Sequence, residues 1–383
     1  MPRDETAATD VLVVGAGVIG LACAWRAAQR GMSVRVIDAE TPGSGASRVA
    51  AGMLAPVGEA SWGERALLEL NLASARAYPG FAAELEDFSG RAVGYRRCGG
   101  VHIALDRDET EELRRRHDLQ RSLGLEAEWM RPARCRELEP GLSPACAAGV
   151  LAADEGEVDP RTLTTALVAA TESAGGEVLP GTEATDAQIE GDRLRGVRTA
   201  DGRELRADQV VLAAGCWSGS VPWLPPDALP PVRPVKGQVL ALRGPAETPV
   251  CERIVATQWV YVVPRGDGRV VVGATVEERG FELTVTAGGV HELLREAYRV
   301  LPEIAELELT ETIAGLRPGT PDNAPLIGPG SLDGLVVATG HYRNGILLVP
   351  VTADAVAAVL AGEDPPEVVA PMTPRRFEGV AAG

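Results

Sequence analysis

Three glycines near the start of the chain have the spacing of a dinucleotide-binding turn. Gly15, Gly17 and Gly20 form the pattern GxGxxG after an apolar run, and Asp38 ends the next apolar segment. In such a turn the first glycine bends the chain, the second admits a pyrophosphate and the third lets helix pack on strand. An acid in the place of Asp38 binds ribose hydroxyls. The spacing therefore predicts a bound dinucleotide; a glycine-rich turn without a ligand is the alternative.

These residues need a strand, a helix and a second strand to bring them together. The sequence predicts a buried strand at 11–14, a helix that stops at Gly31, and a strand at 33–37. The N-terminus of that helix offers free N–H groups and a positive dipole end to a phosphate. The small residues of 41–53 follow directly, which favours close approach to the same ligand; a flexible surface loop is the alternative.

Composition and charge limit the class of protein. The chain has 383 residues, a length that suggests two domains or one large one, and a net charge of -17. That charge argues against nucleic acid and anionic membrane surfaces as partners. The six cysteines form no CxxC pair and the four histidines have no metal-ligand spacing, so we expect reduced thiols, no metal and a cytoplasmic protein. We find no signal peptide or membrane span.

The remaining pattern alternates helices and strands. Predicted helices cover 62–88, 108–123, 160–174, 287–300 and 346–361, with a short helical turn from Pro132. Predicted strands cover 149–153, 177–179, 184–190, 193–199, 209–215, 235–243, 259–264, 269–276, 306–314 and 335–338. Turn signals at 201–202 and 266–268 predict hairpins. The tail after Gly362 is rich in proline and charge, which predicts loose order.

Six further motifs together resemble the D-amino-acid oxidase family of flavoproteins. They are AAGML at 50–54, AAGCWS at 213–218, VKG at 235–237, YVVPR at 261–265, AGLRPGT at 314–320 and GHYRNGIL at 340–347. The resemblance implies FAD as the cofactor. It also implies an α/β (α+β) fold, in which a doubly wound, Rossmann-like FAD-binding domain is interleaved with a substrate domain whose mixed or antiparallel sheet covers the flavin.

The resemblance also suggests domain limits, an activity and an assembly. We expect an FAD-binding domain of 1–90, 145–220 and 315–370, a substrate-binding domain of 91–144 and 221–314, and a tail of 371–383. The implied activity is oxidative deamination of glycine, sarcosine and small D-amino acids, with O2 reduced to hydrogen peroxide. The family's glycine-oxidising members supply glycine imine for thiazole synthesis in thiamine biosynthesis. A homo-oligomer such as a tetramer is implied as well.

Four residues receive roles next to the substrate from this resemblance. Arg317 would hold the substrate carboxylate with two parallel hydrogen bonds, just before a turn at 318–319, and Tyr261 would add a third bond. Arg343 would lie near substrate and flavin, and Met53 over the flavin. The alternatives are surface ion pairs for the two arginines and simple packing for Tyr261 and Met53. No side chain stands out as a general base.

The residues expected to bind FAD, which include Met53 and Arg343, come from the glycine turn, from the segments that follow it and from the family-like motifs. They are Gly15, Gly17, Val18, Ile19, Gly20, Asp38, Ala39, Ala46, Ser47, Ala51, Gly52, Met53, Ala184, Ala214, Gly215, Trp217, His341, Tyr342, Arg343, Asn344, Gly345, Ile346 and Leu347. The final helix, expected to begin just after Gly345, would direct its positive end at the flavin.

Three alternatives to this activity remain open. A sarcosine oxidase-like amine oxidase would attach its flavin through a cysteine, whereas this chain has Gly315 in the matching stretch, so we expect non-covalent FAD. A D-amino-acid dehydrogenase is the second. The third is a non-enzymatic FAD-binding protein that acts on RNA or a protein, although no basic patch supports RNA.

Overall fold

The structure, a computed structural model, describes residues 8–377. Its strands in chain order are β1 (Thr9–Val14), β2 (Val34–Ile37), β3 (Met53–Leu54), β4 (Gly100–Ala104), β5 (Glu128–Met130), β6 (Ala148–Ala152), β7 (Gly156–Glu157), β8 (Glu177–Leu179), β9 (Ala184–Glu190), β10 (Arg193–Thr199), β11 (Glu204–Leu212), β12 (Arg233–Arg243), β13 (Ile254–Ala256), β14 (Tyr261–Pro264), β15 (Arg269–Gly273), β16 (Glu308–Gly319), β17 (Leu326–Pro329) and β18 (Leu335–Thr339). Its α-helices are α1 (Val18–Gln29), α2 (Ala46–Val49), α3 (Arg65–Ser89), α4 (Arg107–Ser122), α5 (Pro132–Leu138), α6 (Pro160–Ser173), α7 (Ala287–Val300) and α8 (Val349–Leu360).

The first sheet carries the dinucleotide-binding turn. Along the order β17-β18-β11-β1-β2-β8 the pairs are parallel except β17 with β18, and β10 and β9 extend this sheet from β11 through antiparallel pairs. Val11 and Val13 pack against α1, α3, α6 and α8, whereas Leu12 and Val14 pack against the β9–β10 hairpin and 221–229. Both faces are thus covered, as a parallel sheet requires, which explains the continuous apolar run in β1. Helices cover one face only.

The second sheet has the order β16-β12-β15-β14-β13-β4-β6-β5. Its pairs are antiparallel except β13 with β4, so the predicted mixed sheet is confirmed. Helix α7 packs on one face through Leu293, Ala297 and Val300, which recur at helical spacing. The α/β fold predicted from the resemblance is therefore present, with a Rossmann-like sheet and a separate mixed sheet.

Two strands bear on the expected domain limits, which remain a prediction. Strand β6 falls in the segment assigned to the FAD-binding domain but pairs with β4 and β5 of the second sheet. Strand β16 pairs with β12 as far as Gly319 and so crosses the expected limit between 314 and 315. The prediction of a turn at 318–319 is wrong, because both residues continue this strand.

Most predicted elements are confirmed to within a few residues, and α7, β8, β9 and β10 have the predicted limits. Strands β3, β4, β5, β7, β13 and β17 were missed, since each is at most five residues long. The prediction that the tail after Gly362 is loosely ordered is wrong for its described part. Val369 and Met372 are buried, and Arg376 donates to Asp322. Residues 378–383 lie outside the described range. Within 8–377, none of the helices has the length and hydropathy needed to cross a membrane.

Candidate functional site

A cavity of about 960 Å³ is lined by residues from both sheets. Its volume lies at the upper end of the range usual for small-molecule and cofactor sites, ~300–1,000 Å³. All the residues singled out from the sequence line it except Gly20 and Leu347. The dinucleotide turn and the residues expected at the substrate therefore share one cavity, although they are up to about 300 positions apart in the chain.

The turn after β1 has no room for side chains at two of its glycines. Gly15 has φ +112°, and an added Cβ would overlap the carbonyl of Ala213. At Gly20 a Cβ would overlap the carbonyl of Gly15, because α1 crosses directly over the turn. At Gly17 the nearest atom to an added Cβ would be Ser47 Oγ, at 3.3 Å. Backbone can thus approach a phosphate closely at Gly17.

Ser47 completes the N-terminus of α1. Gly17 has no side chain to cap the helix, and Val18 N donates instead to Ser47 Oγ at 3.1 Å. The serine hydroxyl keeps its own proton to donate to a phosphate in front of the helix, where the dipole favours negative charge. The arrangement fits the pyrophosphate of a dinucleotide.

Asp38 closes the turn from the other side. Its Oδ2 accepts from Ala16 N at 2.7 Å and its Oδ1 from Glu40 N at 2.9 Å. Burial raises the pKa of Asp38, while these two backbone N–H groups oppose the rise. Each carboxylate oxygen has a second lone pair for a ribose hydroxyl, so the predicted role is chemically compatible with the geometry.

A buried ion pair positions the loop that carries Met53. Arg265 pairs with Glu157, and its Nη2 donates to the carbonyl of Ala51 at 2.5 Å. Gly52 has φ +75°, and a Cβ there would overlap the carbonyl of Val158. Met53, which lines the cavity, pairs with Glu157 as the first residue of β3. Arg265 ends the motif at 261–265, but the sequence did not predict its pairing with Glu157, because two residues 108 positions apart give no local signal.

Arg317 lies on β16 with its guanidinium across Gly237. Its Nη1 donates to the carbonyl of Thr275 at 3.1 Å and faces that of Lys236 at 3.4 Å. A Cβ at Gly237 would lie 2.6 Å from Nη2, so this glycine lets the guanidinium take its position over β12. Within residues 8–377 no carboxylate forms an ion pair with Arg317. Backbone carbonyls therefore fix the guanidinium, and its remaining donors are available to a ligand anion.

Tyr261 lies next to Arg317 and also lines the cavity. Burial raises the pKa of its hydroxyl; the Arg317 guanidinium opposes that rise, and the carboxylate of Glu59 adds to it. Gly273 on the neighbouring strand leaves space for the ring, since an added Cβ would overlap the hydroxyl. A guanidinium and a neutral hydroxyl thus stand side by side, a pair suited to binding one carboxylate.

Arg343 and Glu59 also line the cavity and lie close to each other. Arg343 Nη1 lies 4.0 Å from Glu59 Oε2, and its guanidinium lies 5.2 Å from the ring centre of Tyr342. Tyr342 has φ +45°, which directs the backbone of this turn into the cavity. His341 is buried, its Nε2 is 3.0 Å from Thr352 Oγ1, and burial lowers its pKa to about 3. His341 is therefore neutral and structural.

The final helix begins later than predicted. Helix α8 starts at Val349 rather than near 346, because residues 344–348 form a separate turn in which Leu348 N donates to the carbonyl of Asn344. Among the described residues, no acceptor is found for the N–H groups of Gly345 and Ile346, which line the cavity. These two amides, rather than the helix end itself, can face developing negative charge.

Comparison with known proteins decides the family. Residues 10–359 match the family model described as FAD dependent oxidoreductase (DAO). The chain belongs to this family. Its cofactor is accordingly FAD, and the glycine turn, Ser47 and Asp38 fit the adenosine diphosphate half of that molecule. None of the six cysteines, all within the described residues, lines the cavity.

Relatives within the family include proteins of two lengths. The chain is 35% identical to glycine oxidase of Geobacillus kaustophilus over 97% of both proteins. It is also 35% identical to the bifunctional protein ThiO/ThiG of Trichormus variabilis, over 91% of this chain and 52% of that protein. The chain thus spans about half the length of the bifunctional relatives it matches. The crystal structure of glycine oxidase from Geobacillus kaustophilus superposes with a TM-score of 0.89 at 33% identity, covering 96% of this chain and 98% of that one.

Several cavity residues escaped the sequence prediction. Thr182, Glu183 and Trp223 line the cavity with Asp38, and Glu59 and Trp259 line it with Tyr261. All of them lie outside the glycine-rich or family-like motifs. A composition or spacing signal could not have identified them, because their position depends on how the loops between strands fold over the cavity.

Proposed function

We propose that the protein oxidises glycine, and with it sarcosine and small D-amino acids, in an FAD-dependent reaction with O2. The observation that carries this proposal is the Arg317–Tyr261 pair at the end of the cavity that begins at the dinucleotide turn. The similarity to glycine oxidase supports it. The balanced reaction would convert glycine, O2 and water to glyoxylate, ammonia and hydrogen peroxide.

In this proposal the chain's residues bind and orient the substrate. Arg317 binds the carboxylate through donors that its backbone partners leave free, and Tyr261 donates one further bond. The carboxylate would be fixed at one end, so that the Cα–H bond lies in one orientation. Met53 lines the same cavity and would limit water beside the substrate. Bound FAD would supply the redox chemistry by accepting two electrons from the substrate and passing them to O2.

The test of this proposal is peroxide release from purified holoenzyme offered glycine, sarcosine and D-alanine separately. Efficient release with glycine supports the proposal. A strong preference for sarcosine favours the amine oxidase alternative, and activity with an artificial acceptor but not O2 favours a dehydrogenase. Failure of every substrate to reduce the flavin without oxygen would favour a non-enzymatic FAD-binding protein.

We further propose that the protein acts in the cytoplasm as a homo-oligomer, such as a tetramer, and supplies glycine imine for thiazole synthesis in thiamine biosynthesis. Its six free cysteines support a reducing compartment. The similarity to the ThiO part of a ThiO/ThiG protein supports the biosynthetic role. We expect no nucleic acid, membrane or metal partner. Loss of growth without thiamine on deletion of the gene would test the role.

The flavin is expected to be bound without a covalent link. Because Gly315 stands where a cysteine would be needed and the cavity wall contains no cysteine, acid precipitation should release yellow FAD into the supernatant. Absorbance of supernatant and pellet after precipitation measures this directly. Flavin that stays in the pellet would contradict it.

Tyr261→Phe is expected to weaken substrate binding without affecting FAD. The change removes one hydrogen bond to a charged group, worth ~1.5–3 kcal/mol, which raises KM for glycine by roughly tenfold to a hundredfold. Steady-state peroxide kinetics with FAD content measured in parallel check the result. Unchanged kinetics would assign Tyr261 to packing.

Gly237→Ala is expected to disturb Arg317 from the neighbouring strand. The new methyl group would lie 2.6 Å from Nη2 and 2.7 Å from Cζ, so the guanidinium must move. We expect KM for glycine to rise by about tenfold or more, on the scale of one charge-assisted hydrogen bond. Gly288→Ala is the matched control, because nothing lies within 4 Å of a Cβ at that position of α7. Equal kinetics for the two variants would show that Arg317 tolerates displacement.

A further inference from the structure

The loop between β3 and α3 places a carboxylate in the cavity. Glu59 lines the cavity and its side chain is 30% exposed. The loop was not singled out from the sequence, and the proposed reaction does not use Glu59. Its place opposite Arg317 and Tyr261 nevertheless puts a negative charge at the end of the cavity where the substrate would lie.

Groups behind the loop fix its backbone. Gly58 N donates to Glu155 Oε1 at 2.5 Å, and Arg116 Nη2 donates to the carbonyl of Gly58 at 2.6 Å. Gln120 Nε2 donates to the carbonyl of Val57 at 3.0 Å. Glu155 and Gln120 are buried, so these anchors are shielded from water. A loop attached at two consecutive residues just before Glu59 leaves its carboxylate little freedom to withdraw from the cavity.

Charged groups of both signs lie around Glu59. Arg343 Nη1 lies 4.0 Å from Glu59 Oε2 and is also influenced by the Glu64 carboxylate, while Glu59 and Arg317 both act on the hydroxyl of Tyr261. One bound carboxylate on Arg317 would leave the Glu59–Arg343 pair intact. A second anionic group on the substrate would meet the Glu59 carboxylate, whose negative charge offsets the attraction of Arg343.

We propose that Glu59 determines substrate charge: its carboxylate offsets the charge of Arg343 and repels a second carboxylate, so that monocarboxylic amines bind and dicarboxylic amines are rejected. This inference rests on the proposed amino-acid oxidation and names the substrate class of that site. The rejection is a repulsive element added to the attraction at Arg317, and specificity commonly needs both. Glu59 acts on the substrate by its charge and takes no part in the chemical step.

Glu59→Gln tests the proposal, because the amide has nearly the same shape and no charge. Iminodiacetate is the probe, since it is glycine with a carboxymethyl group on nitrogen. We expect its kcat/KM relative to that of glycine to rise by roughly tenfold or more, the scale of one unit charge acting across a few ångströms in a partly hydrated cavity. Glu59→Asp keeps the charge and should retain the discrimination.

Ligand binding provides a second measurement that needs no turnover. Titration of the holoenzyme with malonate and with acetate, followed by flavin absorbance, gives the ratio of the two dissociation constants. We expect Glu59→Gln to lower the malonate constant relative to the acetate constant by a similar factor. Glu69→Gln is the matched control, because it removes the same charge from an exposed pair with Arg65 outside the cavity.

Three outcomes would overturn the proposal. One is a wild-type enzyme that oxidises iminodiacetate as efficiently as glycine. Another is a Glu59→Gln variant with bound FAD and both ratios unchanged. The third is a Glu69→Gln variant that shifts the ratios as much as Glu59→Gln does. A wild-type protein that oxidises no amino acid would instead refute the proposed function, and the malonate and acetate ratios would still test the effect of Glu59.

Discussion

Replacing Arg317 with alanine is expected to lower kcat/KM for glycine by roughly a hundredfold to several thousandfold. A substrate carboxylate in a partly desolvated cavity would lose its partner, and leaving such a charge unpaired costs ~3–5 kcal/mol. Glycine, sarcosine and D-alanine share this carboxylate and differ elsewhere, so the loss should be similar for all three. Steady-state peroxide assays with the three substrates measure it.

The Arg317→Lys variant separates charge from geometry. An ammonium group restores the charge but cannot make two parallel bonds, and it cannot reproduce the contacts of Arg317 with the carbonyls of Thr275 and Lys236. Partial recovery is therefore expected. Both variants should retain FAD, because the glycine turn lies elsewhere in the cavity. Glycolate should perturb the flavin spectrum of wild type but not of Arg317→Ala. Near-normal efficiency in Arg317→Ala would move the carboxylate anchor to Arg343.

The dinucleotide turn could be predicted because its requirements are local. The carbonyl that excludes a Cβ at Gly20 is that of Gly15 in the same strand–turn–helix segment, and the carbonyl that excludes a Cβ at Gly15 is that of Ala213, just after β11. The same holds for α7 and the β8–β10 region, whose periodicity or turn residues define them within a few positions. Such features can be recognised from the order of residue types in the sequence.

The substrate end depended instead on contacts between distant segments. Sequence indicated Arg317 through a family resemblance but ended its strand too early, because Pro318 and Gly319 normally favour a turn. Their pairing with Pro234 and Arg233 keeps them in β16. Glu59 has no motif around it, and its position becomes apparent only when its loop is attached to α4. Tertiary contacts of this kind override local preference.

Replacing Arg265 with methionine is expected to destabilise the protein by ~3–5 kcal/mol, because Glu157 would remain buried without its main partner. Among residues 8–377, the cation that would still face that carboxylate is Arg96, whose Nε lies 3.4 Å from Oε1. The carbonyl of Ala51 would also lose its donor, which should loosen the segment that leads to Met53 and weaken FAD binding. Urea unfolding at pH 7 and FAD titration of the apoprotein measure the two effects.

The pH dependence of this loss identifies its cause. Burial raises the pKa of Glu157, and Arg265 opposes the rise, so the variant should raise that pKa further. A folded-state pKa above the unfolded value, ~4.3 for glutamate, makes stability fall as pH rises through the interval between the two. The deficit of Arg265→Met that comes from Glu157 should therefore grow as pH rises from the wild-type pKa of Glu157 to its higher value in the variant, and be small below it. Adding Glu157→Gln removes the buried charge and should restore most of the stability and flatten the profile. A double variant no more stable than the single one, with a deficit independent of pH, would mean that Arg265 stabilises the fold through the Ala51 carbonyl and packing rather than through Glu157.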